Sequence, residues 1–345
     1  MKLLILAFLV VLAVEGASKG QKSKDTKKAS TTGKKSDALK KRMNKWFEGK
    51  EHWSKKHLQL CFQETPLPKD YFCYKYYRNY EPIYIDPLAL HPILIVYRRL
   101  IPQKLIDGFL RDVDEHKKMN KKKHIDEDGF MKNFLKRYTK RRAISTTLPH
   151  SSTKGVAKVF RRIQALIPML NFSISEPWKV LHYKKGGHHA PHHDFITYSS
   201  PDQYSERTQE FGNRFVTFAI TLKSPTVGGA TSFVLLNHTV TTEPGDVILF
   251  TCIRNDMTPA GGSVHGECPV EEGEKITATL WLRPKGQELF NSLPKDEGMM
   301  AYDIEKLIAP NMMFYGQSPF YDLYAYQQLM AEQFARQNQL KQAQI

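Results

Sequence analysis

The segment from Trp178 to Trp281 is a succession of short, strand-like runs, and this feature constrains the fold of the 345-residue chain more than any other. The runs are rich in β-branched and aromatic residues, and turns such as 228–229 and 243–245 separate neighbouring runs. Many short strands at close spacing, with few helices between them, indicate a β-sandwich or a jelly roll. The predicted strands are 214–222, 231–235, 240–242, 247–251 and 275–281.

The residues before this segment carry a different pattern. A β-rich run at 92–97 is followed by two stretches, 102–116 and 155–167, in which apolar side chains recur at helical spacing. Pro168 should end the second of these helices. A stretch rich in Tyr, Gln and Ala predicts a further helix at 321–342. The sequence therefore predicts an α+β fold that is mainly β, with supporting N-terminal helices.

The N-terminus has the pattern of a secretory signal peptide. Lys2 precedes a short apolar stretch at 3–14, and small residues suit a cut after Gly16, so we assign residues 1–16 to the signal peptide. The alternative is an N-terminal membrane anchor. No later apolar run approaches the length of a membrane span, so no span is predicted. We therefore expect the mature chain in the lumen of the endoplasmic reticulum or outside the cell.

Basic residues are concentrated after the signal peptide. Residues 17–56 hold 14 Lys/Arg against 4 Asp/Glu, within a formal net charge of +16, and a second basic run covers 117–142. We predict a disordered basic arm at 17–57, because its composition cannot bury enough apolar area to fold. A secretory signal argues against nucleic acid as the partner. An acidic extracellular polymer, or solubility alone, fits this charge better.

Four cysteines and two glycosylation sequons allow further predictions for a chain in the secretory pathway. In an oxidising environment Cys61 and Cys73 are a natural pair that closes a short loop. Cys252 and Cys268 could form a second bridge, and Cys268 could equally be a buried free thiol near the active site. The absence of a CxxC motif argues against a redox or zinc role. The sequons predict glycans at Asn171 and Asn237.

The densest polar feature is the segment 182–194, which contains five histidines and one aspartate. Residues i and i+2 of a strand point to the same side, so His192 and Asp194 would share one face while His193 points away. One imidazole and one carboxylate can then bind a single metal. His265, which lies 73 residues after His192 and follows a glycine-rich turn, is the best candidate for the third ligand.

Two histidines and one carboxylate leave open positions on an octahedral metal, an arrangement typical of non-haem iron(II) oxygenases. The open positions would take a bidentate 2-oxo acid and then dioxygen. A second carboxylate on that acid needs a cation, and Lys275, ten residues past His265, is placed to supply it. A zinc hydrolase is the alternative, but it needs a general base such as glutamate, and 182–194 contains none.

The ordered motifs resemble the catalytic domain of the collagen-type prolyl 4-hydroxylase alpha subunit, over roughly residues 58–290. The segment 61–78 also resembles the cysteine-containing entry to that domain. The matching pieces are Tyr183-Lys-Lys-Gly-Gly, His192-His-Asp194, Gly212-Asn-Arg214, Gly228-Gly-Ala-Thr-Ser-Phe233, Pro244-Gly245, His265-Gly-Glu-Cys-Pro-Val270, Gly273-Glu-Lys275, Trp281 and Arg283-Pro-Lys-Gly-Gln-Glu288.

The resemblance implies a double-stranded β-helix (jelly roll) at 178–290, helical support at 58–177 and a C-terminal helical extension at 291–345. It implies Fe2+ on His192, Asp194 and His265, with Lys275 on the distal carboxylate of 2-oxoglutarate. The remaining implied roles are a 2-oxoglutarate pocket lined by Tyr183, Thr231 and Trp281, and a substrate side formed by Arg214 and by His189, which stands where the family usually has an aromatic residue.

The implied reaction is hydroxylation of peptidyl proline to 4-hydroxyproline, with decarboxylation of 2-oxoglutarate to succinate and L-ascorbate as a supporting reductant. The expected substrates are collagen-like or proline-rich secreted proteins, and protein disulfide isomerase is a candidate partner. Hydroxylation of another side chain, such as lysine, is an alternative, although lysyl enzymes place Arg where this chain has Lys275. A non-catalytic jelly-roll binding protein is the other alternative.

The family's second disulfide uses a cysteine beyond the catalytic core, and no cysteine follows Cys268 here.

Overall fold

The computed structural model describes residues 37, 39–63, 65, 73–123, 140–254 and 256–287. The chain divides after Lys45, and of the part before that point only a helical segment at 39–44 and residues 37 and 45 are described. The predicted signal peptide, most of the basic arm and the predicted helix at 321–342 lie outside the described residues. Everything that follows concerns the unit that begins at Trp46.

Four α-helices are described in this unit: α1 (Lys55–Leu60), α2 (Gln103–Lys123), α3 (Lys154–Leu166) and α4 (Glu206–Phe211). Helices α2 and α3 confirm the two helices predicted from apolar spacing, and α2 continues about two turns past its predicted end. Within the described ranges, no helix combines the length and the apolar character needed to cross a membrane.

One eight-stranded antiparallel sheet forms the centre of the molecule, with the strand order β1-β2-β3-β11-β7-β14-β5-β4. The three strands at one edge are β1 (Tyr74–Arg78), β2 (Glu81–Leu90) and β3 (Ile93–Arg98). The remaining strands are β4 (Ile144–Leu148), β5 (Trp178–Tyr183), β7 (Val216–Lys223), β11 (Val247–Thr251) and β14 (Lys275–Leu282).

A four-stranded sheet with the order β10-β9-β12-β6 accompanies the large sheet, and β13 pairs with β8 in a two-stranded ribbon. The strands of the four-stranded sheet are β6 (His189–His192), β9 (Thr231–Phe233), β10 (His238–Val240) and β12 (His265–Glu267). The ribbon consists of β8 (Val227–Gly228) and β13 (Val270–Glu272). This architecture confirms the predicted mainly β jelly roll, or double-stranded β-helix, with supporting helices. The prediction that 58–177 is helical support is wrong in part, because this range also contributes β1 to β4 to the large sheet.

The central strands of the large sheet are buried on both faces, and β3 and β11 are accordingly almost continuously apolar. In β11, Val247 and Leu249 pack into the core that contains the helices, whereas Ile248 and Phe250 pack into a second core with Phe233 of the small sheet. This alternation is the two-residue period of a strand. The functional residues described below lie at the second core, between the two sheets.

Helices α2 and α3 cross at a pair of glycines. A Cβ atom on Gly155 would lie 2.4 Å from the carbonyl oxygen of Gly108, so only glycine permits this approach. The Asp112 carboxylate on α2 accepts hydrogen bonds from the backbone N–H groups of Gly155 (2.6 Å) and Val156 (3.0 Å), and thereby satisfies donors at the start of α3. The helices therefore support the sheet as one layer.

The folded part begins earlier than the predicted start near Leu58. Phe47 and Trp53 are buried, and the Trp53 indole N–H donates to Nδ1 of His188 at 3.1 Å. The predicted disordered arm at 17–57 is therefore wrong for its last eleven residues, 47–57. Lysines dominate the composition around these two aromatic residues, so composition alone does not show that the aromatic side chains contribute to a core.

The disulfide joins Cys61 to Cys268, across a sequence separation of 207 residues. The predicted pair of Cys61 with Cys73 is wrong, because Cys73 is an exposed free thiol, and Cys252 is a buried free thiol rather than a partner of Cys268. The bridge ties the end of α1 to the chain just after β12. Phe47, Trp53 and Ala190 pack around it.

We expect the Cys61→Ser/Cys268→Ser double variant to lose about 2–4 kcal/mol of unfolding free energy, because the bridge closes a long loop in the unfolded chain. Urea denaturation followed by far-UV circular dichroism measures this loss. Cys73→Ser is the matched control and should change the free energy by less than about 0.5 kcal/mol. An equal loss in Cys73→Ser would indicate that Cys73 shares the bridge.

Candidate functional site

Three of the predicted side chains converge between the two sheets. The ligand atoms of His192, Asp194 and His265 all lie within 4.8 Å of one another. His192 ends β6 and His265 begins β12, and the two are direct partners in the antiparallel pairing of these strands. Asp194 follows two residues after His192, while His193 between them is exposed, as the strand alternation predicts. A cross-strand pair plus one carboxylate therefore forms a compact donor set.

The two histidine rings are held in the same way. Nδ1 of His192 lies 2.8 Å from the carbonyl oxygen of Ala190, and Nδ1 of His265 lies 2.9 Å from that of Ser263. A carbonyl oxygen only accepts, so each Nδ1 carries a proton, and in the neutral ring each Nε2 then keeps its lone pair for a metal. The Nε2 atoms lie 3.5 Å (His192) and 3.9 Å (His265) from oxygens of Asp194. Such backbone bonds fix metal-binding tautomers.

Asp194 is kept ionised despite its burial. Burial alone would raise the pKa of this carboxyl, but the adjacent His265 and His192 side chains and the Thr217 hydroxyl hold it well below the usual range. The Thr217 hydroxyl on β7 donates to Oδ2 of Asp194 at 2.6 Å. Sequence reasoning missed Thr217, although its place on a predicted strand made it a candidate. The site therefore presents an anionic oxygen at neutral pH.

The His189 ring stacks on His192, with 3.5 Å between the ring centroids. Burial, together with the neighbouring His192, His265 and Arg141 side chains, lowers the pKa of His189 to about 2, so this ring is neutral. His189 thus lies against a metal-binding ring and lines the cavity described next. Its predicted contact with substrate stays a prediction.

A cavity of about 50 Å³ opens beside the three donors. Tyr183, Thr231 and Trp281, the three residues implied for a 2-oxoglutarate pocket, all line it. The Tyr183 hydroxyl and the Trp281 indole nitrogen are buried and make no hydrogen bond to any described residue. Buried polar groups without partners are costly, so these two donors suit an oxygen-rich ligand in the cavity.

Lys275 points inward from β14, opposite Tyr183 in the pairing with β5. Its side chain is 3% exposed. Nζ donates to the carbonyl oxygen of Gly229 (2.7 Å) and to the Thr231 hydroxyl (3.3 Å), and it forms an ion pair with Glu267. The predicted inward cation is therefore in place. Its carboxylate partner Glu267 was not foreseen.

Arg214 belongs to a partly buried network and is not among the residues that line the cavity. Its guanidinium makes a paired contact with the Glu176 carboxylate (2.7 and 2.8 Å) and lies 3.7 Å from the centre of the Trp281 ring. Arg283 donates to the same carboxylate at 2.6 Å. Nη1 of Arg214 also donates to the backbone oxygen of Asp194 at 3.3 Å. The predicted role of Arg214 on the peptide side stays a prediction, while its contacts link it to the donor set.

Three other predicted residues lie apart from the cavity. Asn171 and Asn237, the two sequon asparagines, are exposed. Cys252 is buried beside the Thr217 hydroxyl at 3.1 Å, and burial raises the pKa of its thiol. A buried thiol with a raised pKa is a poor nucleophile, so Cys252 is a packing residue.

The donor set fits iron(II). Imidazole nitrogens and a carboxylate suit first-row divalent metals, and two histidines with one carboxylate leave coordination positions open for further ligands. Each ring also forms a hydrogen bond through Nδ1, and the carboxylate accepts one from Thr217. Metal ligands are usually oriented by such hydrogen bonds. The unpartnered donors of Tyr183 and Trp281 mark where an oxygen-bearing co-substrate would bind.

Comparison with known proteins agrees with this geometry. Residues 178–283 match the model of the 2OG-Fe(II) oxygenase superfamily. This part of the chain is a 2OG-Fe(II) oxygenase domain. The matched range includes the three metal-ligand candidates and Lys275. The family implies Fe2+ and 2-oxoglutarate at this site.

The oxygenase domain resembles curated prolyl 4-hydroxylase alpha subunits. Subunit alpha-2 of Caenorhabditis elegans is 28% identical over 207 residues, which are 60% of this chain and 37% of the relative. Subunit alpha-1 of Gallus gallus is 27% identical over 249 residues, 68% of this chain and 46% of the relative. Subunit alpha-3 of Mus musculus is 34% identical over 114 residues, 33% of this chain and 20% of the relative. The chain spans less than half the length of these relatives.

Among solved structures, the viral collagen prolyl hydroxylase vCPH from Paramecium Bursaria Chlorella virus-1, in its 2OG complex, is 18% identical. The alignment covers 55% of this chain and 94% of that chain, with a TM-score of 0.42. A prolyl-4-hydroxylase from Pseudomonas putida is 15% identical, covers 56% of this chain and 93% of that chain, and has a TM-score of 0.36.

Proposed function

We propose that this protein hydroxylates peptidyl proline at C4, using Fe2+ and 2-oxoglutarate, in collagen-like or other proline-rich proteins of the secretory pathway. The observation that carries the proposal is the donor set of His192, Asp194 and His265 beside a cavity backed by the buried Lys275. The choice of proline is supported by the relatives, which are named as prolyl 4-hydroxylase subunits. Extended proline-rich segments lose little entropy when they bind, which favours their recognition as substrates.

Each residue has a defined part in this proposal. Two neutral imidazoles and the Asp194 carboxylate hold the metal, and Thr217 fixes the orientation of that carboxylate. Lys275 holds the distal carboxylate of 2-oxoglutarate, and the Tyr183 hydroxyl donates to the bound acid. When bound, iron supplies dioxygen activation coupled to decarboxylation, with one oxygen atom going to succinate and the other to proline. Trp281 and the cavity walls exclude bulk water from this reaction.

The cellular setting is part of the proposal. The Cys61–Cys268 bridge supports an oxidising compartment, since such bridges persist chiefly in secreted and luminal proteins. The exposed sequon residues Asn171 and Asn237 are accessible to glycosylation there. We extend the proposal to the endoplasmic reticulum lumen or the secreted fraction, to L-ascorbate as reductant, and to protein disulfide isomerase as a partner that could retain the chain.

The deciding experiment supplies a (Pro-Pro-Gly) repeat peptide, Fe2+, 2-oxoglutarate and ascorbate to the full chain. We expect peptide-dependent succinate release and a matching amount of 4-hydroxyproline, both measured by mass spectrometry. The co-substrate is consumed one-for-one with the hydroxylated residue.

A peptide with lysine in place of the target proline is the comparison. Turnover of that peptide, without turnover of the proline peptide, would assign the chain to lysine hydroxylation. Succinate release that no peptide stimulates, together with no new hydroxyl group, would contradict peptide hydroxylation altogether.

A further inference from the structure

The Lys275 ammonium already has a carboxylate partner supplied by the chain. Its three N–H donors face three acceptors: the Gly229 carbonyl oxygen, the Thr231 hydroxyl and the Glu267 carboxylate. The Thr231 hydroxyl in turn donates to Oε2 of Glu267 at 3.0 Å. The ammonium is 3% exposed and the Glu267 side chain 15% exposed, so water screens this pair weakly. The pair is therefore complete without a ligand.

Glu267 stands between the metal donors and the ammonium. It lies two residues after His265 on β12, and residues at that spacing share one face of a strand. Its cross-strand neighbours are His189 on β6 and Thr231 on β9. Glu267 lines the cavity beside the metal donors, whereas Lys275 is not among the lining residues. A ligand entering the cavity from the metal side meets the Glu267 carboxylate before it meets the ammonium.

A 2-oxo diacid brings a second carboxylate to the same ammonium. Two carboxylates that converge in a buried pocket repel each other, and like-charge contacts of this kind disfavour binding strongly. The incoming carboxylate must therefore turn Glu267 away from Lys275 and Thr231. A 2-oxo acid whose far end is a methyl group has no such conflict, because it leaves the ion pair intact.

We propose that Glu267 is a specificity-determining residue of the co-substrate site: it competes with the distal carboxylate of 2-oxoglutarate for Lys275. This inference rests on the proposed function, since it concerns how the oxygenase domain takes its 2-oxo acid. Two consequences follow. The protein binds 2-oxoglutarate more weakly than its lysine alone allows, and it discriminates poorly between 2-oxo diacids and 2-oxo monoacids of the same length.

The test measures binding rather than turnover, with the Mn2+-loaded protein under anaerobic conditions and isothermal titration calorimetry. The two probes are 2-oxoglutarate and 2-oxopentanoate, which has the same carbon chain but no distal carboxylate. The informative variant is Glu267→Gln, which keeps the size and the hydrogen bonds of the side chain and removes its charge. Glu272→Gln, an exposed position on the neighbouring β13, is the matched control for loss of one carboxylate.

In Glu267→Gln we expect the Kd of 2-oxoglutarate to fall about tenfold or more, because Lys275 then becomes available to the distal carboxylate. The Kd of 2-oxopentanoate should change by less than about twofold, and Glu272→Gln should match wild type for both acids. An unchanged or weaker affinity of Glu267→Gln for 2-oxoglutarate overturns the proposal. If neither acid binds wild type or variant, the proposed function itself fails, which is a distinct result.

Wild-type protein alone gives a second test, should the variant fold poorly. We expect wild type to prefer 2-oxoglutarate over 2-oxopentanoate by less than about tenfold, because gaining the lysine contact requires breaking the internal pair. A preference above about 100-fold shows an ammonium that is freely available to the ligand, and it overturns the proposal.

Discussion

Asp194→Ala is expected to abolish peptide hydroxylation and to weaken Mn2+ or Fe2+ binding by about 100-fold or more. Removing a residue that only hydrogen-bonds to a metal ligand typically weakens metal binding by about 10- to 100-fold, and removing a ligand itself should cost at least as much. The carboxylate is the only anionic oxygen among the three donors and is held ionised by its neighbours. Removing it leaves two neutral imidazoles, which hold a hard divalent cation poorly. Metal affinity is measured by calorimetry, and turnover by succinate release.

A graded series separates loss of the metal from loss of the fold. Thr217→Val keeps the volume of the side chain but removes the hydrogen bond to Asp194, so we expect a loss of metal affinity of about tenfold. Asp202→Ala, at an exposed position, should leave both measurements at wild-type values. If Asp194→Ala keeps wild-type metal affinity with an intact circular dichroism spectrum, the donor set is assigned wrongly.

The donor set was accessible from sequence because it depends on local geometry. The two-residue period of a strand places His192 and Asp194 on one face and sends His193 outward, and the structure has this arrangement. His265 required one further step, the expectation that a later strand lies beside the first, and β12 does pair with β6. The apolar runs of the central strands β3 and β11 could be recognised equally well, because both faces of these strands are buried.

Features that depend on contacts between residues far apart in the sequence could not be predicted from the sequence. The spacing of Cys61 and Cys73 suggested a local loop, but the fold brings Cys268 to Cys61 instead. Phe47 and Trp53 sit within a lysine-rich stretch, and only the surface formed by β6 and the disulfide explains their burial. Composition averages over such residues, whereas packing depends on each one separately.

The carboxylates that pair with the buried cations of the site were also hard to predict from sequence. Sequence reasoning placed Lys275 in the pocket and noted that a buried ammonium requires a carboxylate. Glu267, two residues after a metal-ligand candidate, had the strand parity to face that pocket, and this spacing is the signal that could have found it. Glu176 offered no comparable signal, since its two arginine partners lie 38 and 107 residues away.

The second large effect is expected at Glu176, whose side chain is 16% exposed. Glu176→Gln should lower the unfolding free energy by about 3 kcal/mol or more, because breaking one side of a buried ion pair leaves charges uncompensated. The charges left are those of Arg214 and Arg283, whose side chains are 20% and 2% exposed. Urea denaturation at pH 7 measures the loss. Glu210→Gln on the exposed side of α4 is the control and should change stability by less than about 0.5 kcal/mol.

The same network gives a pH dependence with a definite sign. Burial would raise the pKa of Glu176, but hydrogen bonds and charge from Arg214 and Arg283 outweigh it, so the pKa lies below its usual range. A group whose pKa is lower in the folded protein stabilises it above the unfolded pKa of about 4.3, and that contribution disappears as the pH falls through the folded value. The difference in unfolding free energy between wild type and Glu176→Gln should therefore be full at pH 7 and shrink progressively below about pH 4.3. A difference that stays constant from pH 7 to pH 3 would mean that the glutamate stabilises the fold through its shape rather than through its charge.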